Sequence, residues 1–495
     1  MFKVAKAYIK EHPVVTMFTT FFILYFTLGL YFCFSNKVIT LFYDVIFDID
    51  CVRFNKLLYE NYAPDNSIFK HPFSITILRP IFFLTQAFCN SIKTGGILLL
   101  ALCGSGTVCM VYLTIKKLIK DKNIALPFSL IFGLSFSTLI FSSNFELYIY
   151  SAFISSILLF YIIELWDDNK SIQNIDIFIM SVLLFLSYGI TLITALHNFV
   201  LILFLIMHKN SKFSLFSKNI FKHLALILTM FGVFYLIFDL SFGQAKNIFD
   251  LEYDKNYISN DFNFSHFFAA AKVLFVQCFY AIKMEFVQLR SFNIGTGLVF
   301  ATKQHPVLFA PAILFFTTAF VGFIKKIKNI KYLTHSIVLP ILIISVLNFI
   351  EWCMYNCEYS FLFSQNLMIY LIILLAVSFS VFSDKFTKYF CYIFLLWQCF
   401  SNIFALVIIK TYLKKIHIAN FALFKTVYNP NLFVYFIYAV ISAILIHTTI
   451  FILKKFMKKE ILQTSIKDKI IFFTSLTLAY ILIVGIFSVM FQGKA

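Results

Sequence analysis

The sequence predicts an all-α protein that crosses a membrane many times, and three features of its composition lead to that fold class. Of the 495 residues, 61% are hydrophobic and only 13% are charged, and the mean hydropathy is +0.88. A soluble protein has about 45–50% apolar and about 25% charged residues, so a soluble enzyme, a disordered chain and a nucleic-acid-binding domain are excluded. Glycine and proline are scarce, at 14 and 9 residues, which argues against a barrel with many turns. Helices remain, because they satisfy every backbone polar group within lipid.

Apolar stretches long enough to span a bilayer divide the chain into thirteen predicted membrane helices. A span needs about 20 mostly apolar residues, and no long repeat or soluble linker interrupts the pattern. We therefore expect a single membrane domain over residues 1–495. The predicted spans are 14–34, 95–115, 124–142, 147–165, 175–190, 192–207, 224–240, 306–324, 332–350, 366–382, 389–410, 432–452 and 470–488.

Clusters of lysine assign the two sides of the membrane. Short loops rich in lysine and arginine remain in the cytoplasm, and the N-terminal segment carries three lysines as well. This pattern predicts a cytoplasmic N-terminus and, with thirteen spans, a periplasmic C-terminus. The basic clusters lie at 116–122, 209–222, 325–331 and 454–469.

Two of the predicted outer loops are long, at 35–94 and 241–305. Within the first, residues 73–90 are apolar but carry Arg79-Pro80 at their centre. Proline breaks a simple helix, so this segment is predicted to be re-entrant or interfacial. Within the second, residues 264–287 are apolar with three charged residues, which predicts a helix lying in the interface. Because the cytoplasmic loops are short, chemistry is expected at the outer face, where neither ATP nor nucleotide sugars are available.

Two carboxylates stand near the start of the first outer loop, in the segment Asp48-Ile49-Asp50-Cys51-Val52-Arg53. An ionised carboxylate at the membrane edge can take a proton from a hydroxyl nucleophile or hold a divalent cation. Asp48 and Asp50 are therefore the candidate catalytic residues. No cofactor and no metal ligand set are predicted, although the Asp-x-Asp spacing is compatible with a divalent cation. The alternative is a solvated loop in which an aspartate pairs with Arg53.

Arginine is rare in this chain and falls only in predicted outer loops. Of 41 basic residues only Arg53, Arg79 and Arg290 are arginines. The guanidinium group grips phosphate through two parallel hydrogen bonds and stays charged. The three arginines are therefore predicted to bind a lipid phosphate, and the alternative is an anchor at the headgroups or an ion pair.

Polar residues at the predicted outer ends of spans are candidates for binding a substrate. Glu146 lies in the short outer turn between the third and fourth spans. An acidic residue so close to hydrocarbon costs free energy and is therefore a candidate functional residue. Glu351 and Glu358 precede the tenth span, and the sequence does not rank them. Gln365 and Asn366 enter that span and can hydrogen-bond a sugar or a polar headgroup.

Histidines and glycines within the spans receive structural interpretations. His197 and His447 are interpreted as packed, hydrogen-bonded histidines rather than metal ligands. Gly95, Gly96, Gly104 and Gly106 are interpreted as positions where helices approach closely.

The order of these features resembles the GT-C membrane glycosyltransferases, which include the protein O-mannosyltransferases and the aminoarabinose transferase of lipid A. Asp48 and Asp50 match the acidic position in that family's first outer loop. The element His71-Pro72-Phe73 resembles its Lys-Pro-Pro-Leu element, with His in place of Lys and one Pro missing. Segments 143–146 and 358–364 look like parts of bacterial members that decorate surface polysaccharides, among them serotype-converting O-antigen glucosyltransferases.

The resemblance implies a function, a donor and a place in the cell. It implies transfer of a hexose such as glucose from a polyprenyl-phosphate carrier to a surface glycan or lipid-linked glycan, at the outer face of a bacterial inner membrane. An outer-loop aspartate would serve the acceptor hydroxyl, and His71 and Glu358 would bind substrate. Membrane lipid is the other expected partner, and nucleic acid is not one. A flippase for lipid-linked oligosaccharide, another transporter and an O-antigen polymerase remain as alternatives.

Overall fold

The described part of the chain is built almost entirely from helices. The computed structural model describes residues 12–35, 78, 92–119, 122–144, 146–167, 171–209, 218–242, 264–281, 284–287, 297–300, 306–327, 336–354, 364–420, 436–437, 440 and 443–444. Within these residues the only strands form one two-stranded antiparallel ribbon. The described residues therefore confirm the predicted all-α class. The single domain over the whole chain stays a prediction.

The helices follow the long runs of Phe, Ile and Leu in the sequence, and short turns separate many of them. A π-helical turn, Val273–Gln277, continues α9, and a 3₁₀ turn, Pro306–Phe309, precedes α10. The helices are α1 Pro13–Ser35, α2 Ile92–Ile119, α3 Lys122–Gly133, α4 Phe136–Phe141, α5 Tyr148–Asp167, α6 Asn174–Ile190, α7 Leu192–Lys209, α8 Lys218–Phe242, α9 Phe264–Lys272, α10 Ala310–Ile327, α11 Val338–Met354, α12 Ser364–Phe379 and α13 Asp384–Asn420, and the strands are β1 Met284–Val287 and β2 Gly297–Phe300.

Seven of the described helices are long and apolar enough to cross a membrane, judged by length and composition. They are α1, α2, α5, α7, α8, α10 and α13, and the helices α3, α6, α11 and α12 are apolar but shorter. These helices confirm the predicted multi-pass membrane protein.

Helix α12 forms the centre of the bundle. It packs against α2, α3, α4, α5, α10 and α11, and fifteen of its sixteen residues are buried. A helix that is apolar on all sides belongs in the middle of a membrane bundle. The first turn of α12 is the exception in composition, because it reads Ser364-Gln365-Asn366. Three polar side chains are thereby placed in the interior of the protein.

Helix α13 lies at the periphery and shows the lipid-facing surface. Its most exposed apolar side chains recur every three or four residues, as Tyr389, Ile393, Leu396 and Phe400. Such spacing puts them on one face of a helix. The opposite face is buried and contains Gln398 and Asn402 among apolar residues. An exposed apolar stripe of this kind fits contact with lipid rather than water.

Eleven of the thirteen predicted spans coincide with described helices. The spans at 432–452 and 470–488 lie outside the described residues, apart from a few positions in the first. The total of thirteen, the cytoplasmic N-terminus and the periplasmic C-terminus stay predictions. The segment 73–90 also lies outside the described residues, except for Leu78, which is buried.

Two predicted helices are wrong in detail. The span at 124–142 is two helices, α3 and α4, since Ser135 N–H bonds to Phe132 O, three residues back, and Leu134 O accepts from Asn402 Nδ2 of α13 instead of from a helical N–H. The interfacial helix at 264–287 ends in its π-helical turn, and β1 then pairs with β2 in the register Met284↔Phe300 and Val287↔Gly297. The backbone after the π turn is bound by α4 and α13, so the helix does not continue.

The bundle has two chemically different ends. At one end, which we call the basic end, Lys117 of α2 forms an ion pair with Glu164 of α5 at 3.2 Å, and Trp166 stacks on His208. The other end, which we call the polar end, comprises the turn before α5, the turn between α6 and α7, the last turns of α11 and the first turn of α12. The predicted topology puts all four parts of the polar end on the outer side.

Candidate functional site

A break in a buried helix shapes the polar end. Helix α3 stops at Gly133, and Ser135 caps the short helix α4, whose Thr138 N–H bonds to Ser135 Oγ at 3.3 Å. All the residues of α4 are buried. Irregular backbone inside a membrane bundle is tolerated only where other parts of the protein satisfy its polar groups or where it lines a cavity.

Side chains from two other helices bind the carbonyl groups that the break leaves without helical partners. A helix end leaves its last carbonyls without intrahelical donors, and an unpaired buried carbonyl costs about 1–3 kcal/mol. Here the donors come from α1 and α13, so the break is part of the fold rather than a frayed end. The bonds are Gly133 O from Tyr25 Oη at 2.7 Å, Ile131 O from Gln398 Nε2 at 2.9 Å, and Leu134 O from Asn402 Nδ2 at 2.8 Å.

The segment after the π-helical turn closes the other side of the break. Phe279 O accepts the N–H of Phe136 at 3.1 Å, which satisfies a free donor in the first turn of α4. Asn402 Oδ1 accepts the N–H of Ala281 at 2.8 Å, and Ser401 Oγ donates to Ala281 O. Helix α13 therefore holds two irregular backbone segments together inside the bundle.

The break turns the chain so that Glu146 lies inside the protein. Glu146 is only 3% exposed, and its Oε1 accepts the N–H of Leu147 at 2.8 Å. The turn before it packs against Gly104 of α2, where a Cβ would overlap the Oγ of Ser142. Gly104 is twelve residues into α2, about 18 Å along its axis. Glu146 is thus a buried carboxylate, and the close approach predicted for Gly104 is confirmed.

Gln365 connects the start of α12 to the short helix α4. Its Nε2 lies 3.2 Å from Thr138 Oγ1, and it is completely buried. Asn366, the next residue, donates from Nδ2 to Thr194 Oγ1 on α7 at 2.6 Å. The two amides predicted from the sequence therefore join the first turn of α12 to two different neighbours.

A chain of hydroxyl groups continues from Asn366 across the polar end. Thr191 Oγ1 donates to Thr194 Oγ1 at 2.5 Å, and Thr191 Oγ1 lies 3.3 Å from Ser151 Oγ on α5. The chain links α12, α7 and α5 through side chains that are all buried. Buried polar groups of this kind fix the relative positions of helices when they are satisfied.

A second polar group lies one turn further along α7. Asn198 donates to Ser187 Oγ at 2.8 Å and to Ser155 Oγ at 3.1 Å, and its Oδ1 accepts from Tyr370 Oη at 3.3 Å. Both the amide nitrogen and the amide oxygen are therefore bonded. The amide of Asn198 is therefore fully hydrogen-bonded within the protein, as expected for a structural group.

His197 and Glu351 form a pair that sequence reasoning missed. His197 Nε2 lies 2.9 Å from Glu351 Oε2, which joins α7 to α11. The histidine side chain is 3% exposed and the glutamate side chain 38% exposed, so the pair reaches from the interior to the rim. The signal in the sequence was the spacing of Thr194, His197 and Asn198, which stand at positions i, i+3 and i+4 on one face of α7.

Three of the ten predicted site residues lie in the described part of the chain. Glu146, Gln365 and Asn366 are all buried at the polar end. The other seven lie outside the described residues, so their predicted roles stay predictions. They are Asp48, Asp50, Arg53, His71, Arg79, Arg290 and Glu358.

The described residues contain no group of three or more His, Cys, Asp or Glu side chains that could hold a metal ion. Carboxylates, amides, hydroxyls and an imidazole instead make up the polar end. Together these groups supply both donors and acceptors: the amides, hydroxyls and imidazole offer both, and an ionised carboxylate accepts. An arrangement of this kind can bind a polar molecule with many hydroxyl groups and can position a proton acceptor.

Comparison with known proteins gives one distant structural likeness. No protein-family model matches the sequence, and no curated protein matches it. Among solved structures, the chain is similar to the crystal structure of ArnT from Cupriavidus metallidurans bound to undecaprenyl phosphate. The TM-score is 0.41 and the identity 9%, over 83% of this chain and 67% of that chain. A likeness this distant leaves family and function to be argued from the residues of the chain itself.

Proposed function

We propose that this protein is a membrane glycosyltransferase. It would move a sugar, a hexose such as glucose, from a polyprenyl-phosphate carrier to a surface glycan acceptor such as O-antigen, at the outer face of a bacterial inner membrane. The observation that carries the proposal is the buried polar end, with Glu146 and the two amides of α12 inside a bundle of membrane-spanning length. Burying ionisable and amide groups within a membrane bundle costs free energy, so their presence there indicates a functional site such as a substrate site.

The proposed reaction is a single displacement with inversion at the anomeric carbon. Asp48 or Asp50 takes the proton of an acceptor hydroxyl, and that oxygen attacks the anomeric carbon opposite the phosphate. The bond between the anomeric carbon and the phosphate oxygen breaks, and polyprenyl phosphate leaves with the electron pair. Arg53, Arg79 and Arg290 are the candidates for holding the charge of the departing phosphate.

The residues of the polar end have a separate part in this proposal. Gln365, Asn366 and Glu146 hold the sugar hydroxyls in this proposal. His71 is assigned to substrate only by the family resemblance, and Glu358 by that resemblance and by its place before the tenth predicted span. A divalent cation at Asp48 and Asp50 is not required by the proposed steps. It would lower the pKa of a bound hydroxyl if present.

The test is transfer of labelled sugar in isolated membranes. Membranes that contain the protein are given undecaprenyl phosphate carrying radiolabelled hexoses, with lipopolysaccharide as acceptor. We expect label in the polysaccharide with wild-type protein and none with the variant Asp48→Asn/Asp50→Asn, which should still insert in the membrane. Full transfer by the double variant would contradict the assignment of the base.

A second candidate function is transport of a lipid-linked glycan. The interrupted helix α3–α4 favours it, because transporters build their substrate sites at discontinuous helices near the middle of the membrane. The two functions differ in product. Movement of a lipid-linked glycan across proteoliposomes without formation of a new glycosidic bond would support the transporter over the transferase.

A further inference from the structure

A group of buried polar atoms on α7, α11 and α12 has no hydrogen-bond partner within the described part of the chain. These atoms are Nδ1 of His197, Nδ2 of Asn348, Nε1 of Trp352 and Oδ1 of Asn366. Each of these side chains is at most 8% exposed. A buried polar group without a partner costs about 1–3 kcal/mol, and native proteins contain only a few, so several on adjoining helices call for a cause.

Existing bonds hold these groups in one part of the polar end. Thr194 and His197 are one turn apart on α7, which puts them on the same face. Thr194 binds Asn366 of α12 at 2.6 Å, and His197 contacts Glu351 of α11 at 2.9 Å. The three helices also pack against one another, α7 on α11 and α11 on α12.

Helix α11 brings its polar residues to this place by their spacing. Asn348, Glu351 and Trp352 stand at positions i, i+3 and i+4, which lie on one face of a helix. The contact of Glu351 with His197 turns that face towards α7. Glu351 Oε2 is enclosed, while 38% of the side chain is exposed. Glu351 therefore lies at the edge of the cluster with one carboxylate oxygen turned inward, and the other polar groups lie deeper.

We propose that His197, Asn348, Glu351, Trp352 and Asn366 form a binding subsite for a sugar. The amide nitrogen and the indole N–H need acceptors, and the amide oxygen of Asn366 needs a donor. A sugar hydroxyl supplies both in one group. A phosphate or another anion supplies acceptors only and would be repelled by the Glu351 carboxylate.

A metal ion fits the cluster less well than a sugar. His197 and Glu351 are joined by no third His, Cys, Asp or Glu in the ranges that the structure describes, and amide and indole N–H groups repel cations. Of the five residues, Asn366 was predicted from the sequence to bind substrate, and Glu351 was a candidate that the sequence did not rank against Glu358. This inference rests on the proposed function for one point, that the ligand is the sugar of a lipid-linked donor or of its acceptor.

The first test compares two asparagines of the same bundle. Asn348 and Asn198 are both buried, but Asn198 has its nitrogen and oxygen bonded, whereas the nitrogen of Asn348 has no partner. In lipid nanodiscs without sugar, Asn348→Leu should leave the Tm unchanged or raise it, and Asn198→Leu should lower it. A fall with Asn348→Leu as large as that with Asn198→Leu would overturn the subsite.

The second test measures binding with three probes. Undecaprenyl-phosphate glucose, undecaprenyl phosphate and O-antigen polysaccharide are titrated onto the wild-type protein and Glu351→Ala in nanodiscs. A sugar-bearing probe should bind wild type and should bind Glu351→Ala about ten- to a hundredfold more weakly, since a hydrogen bond to a charged group is lost. Binding of the first probe assigns the subsite to the donor, and binding of the third assigns it to the acceptor.

The outcomes separate this inference from the proposed function. If Glu351→Ala binds every probe as wild type does, or if neither sugar-bearing probe binds wild type, the subsite is wrong even when transfer is observed. If a sugar-bearing probe binds through Glu351 but no glycosidic bond is ever formed, the subsite stands and the transferase is wrong.

Discussion

Substitution of Asn402 in α13 should lower the free energy of unfolding more than most substitutions. Its side chain makes hydrogen bonds to two irregular backbone segments at once. Its Nδ2 donates to Leu134 O at 2.8 Å and to Phe279 O at 3.2 Å, and its Oδ1 accepts from Ala281 N–H at 2.8 Å. The variant Asn402→Leu keeps the approximate size of the side chain and removes all three bonds. The residue is 3% exposed, so water does not replace them.

The expected loss follows from which backbone groups are left without a partner. Phe279 O keeps the N–H of Phe136 and the Nε2 of Gln398, so it stays satisfied. Leu134 O and Ala281 N–H lose the bond to Asn402. At about 1–3 kcal/mol for each buried group without a partner, the free energy of unfolding should fall by about 2–6 kcal/mol.

The assay is unfolding of the purified protein in nanodiscs, with two further variants for comparison. Asn402→Asp keeps an acceptor for Ala281 N–H but offers no donor to Leu134 O. Phe404→Leu changes the lipid-facing side of the same helix, where Phe404 is 61% exposed, and should shift the free energy by about 0.5 kcal/mol or less. If Asn402→Leu unfolds within about 0.5 kcal/mol of wild type, the break is not held by these bonds and the reasoning is refuted.

Three further predictions concern packing, the buried carboxylate and the basic end. Gly104→Ala should lower the free energy of unfolding by about 1–3 kcal/mol, since its Cβ would overlap Ser142 Oγ. Gly232→Ala is the control, because no atom lies within 4 Å of its new Cβ. In the same unfolding measurement it should be neutral or stabilising by up to about 1 kcal/mol. Glu146→Gln should keep the acceptor for Leu147 N–H and hence the Tm, but should reduce sugar transfer at least tenfold in the membrane assay; unchanged transfer would show that the carboxylate is structural. Lys117→Met should change the free energy of unfolding by less than about 1 kcal/mol, because its partner Glu164 lies at 3.2 Å in a partly exposed pair; a larger loss would mean that this ion pair is shielded from solvent in the membrane-bound protein.

The helices could be predicted from the sequence because hydrophobicity alone specifies them. Stretches such as 147–165 and 192–207 are mostly apolar in spite of a few polar residues, and a membrane span needs little more than that. The break between α3 and α4 could not be predicted in this way. The proline of that stretch, Pro127, lies inside α3 without interrupting it, while the break occurs at residues 134–135. Its position is set by Tyr25, Gln398 and Asn402, which are distant in sequence and become neighbours only in the folded bundle.

The candidate site was predicted in part for a similar reason. Gln365 and Asn366 stand out because two amides open an otherwise apolar helix, and Glu146 stands out because a carboxylate adjoins hydrocarbon. His197 does not stand out, since a histidine within a span is usually packed and bonded. Its interest comes from Glu351, 154 residues later in the chain, which lies 2.9 Å away. Pairing across helices is invisible in a single sequence.

The two kinds of buried polar group in this bundle argue for different roles. Around the break in α3–α4, the backbone carbonyls of Ile131, Gly133 and Leu134 each have a side-chain donor, as expected for a scaffold that must hold without any ligand, and the side-chain Oε1 of Gln398 is left without a partner. Between α7, α11 and α12, in contrast, several described polar atoms have none. The difference lies in number and place: the break leaves one oxygen of one side chain without a partner, whereas the second group brings polar atoms of His197, Asn348, Trp352 and Asn366 together on three adjoining helices. Because an unsatisfied group lowers stability, its retention is best explained by a partner that binds there, and the cluster beside His197 and Glu351 is therefore the place to look for the sugar.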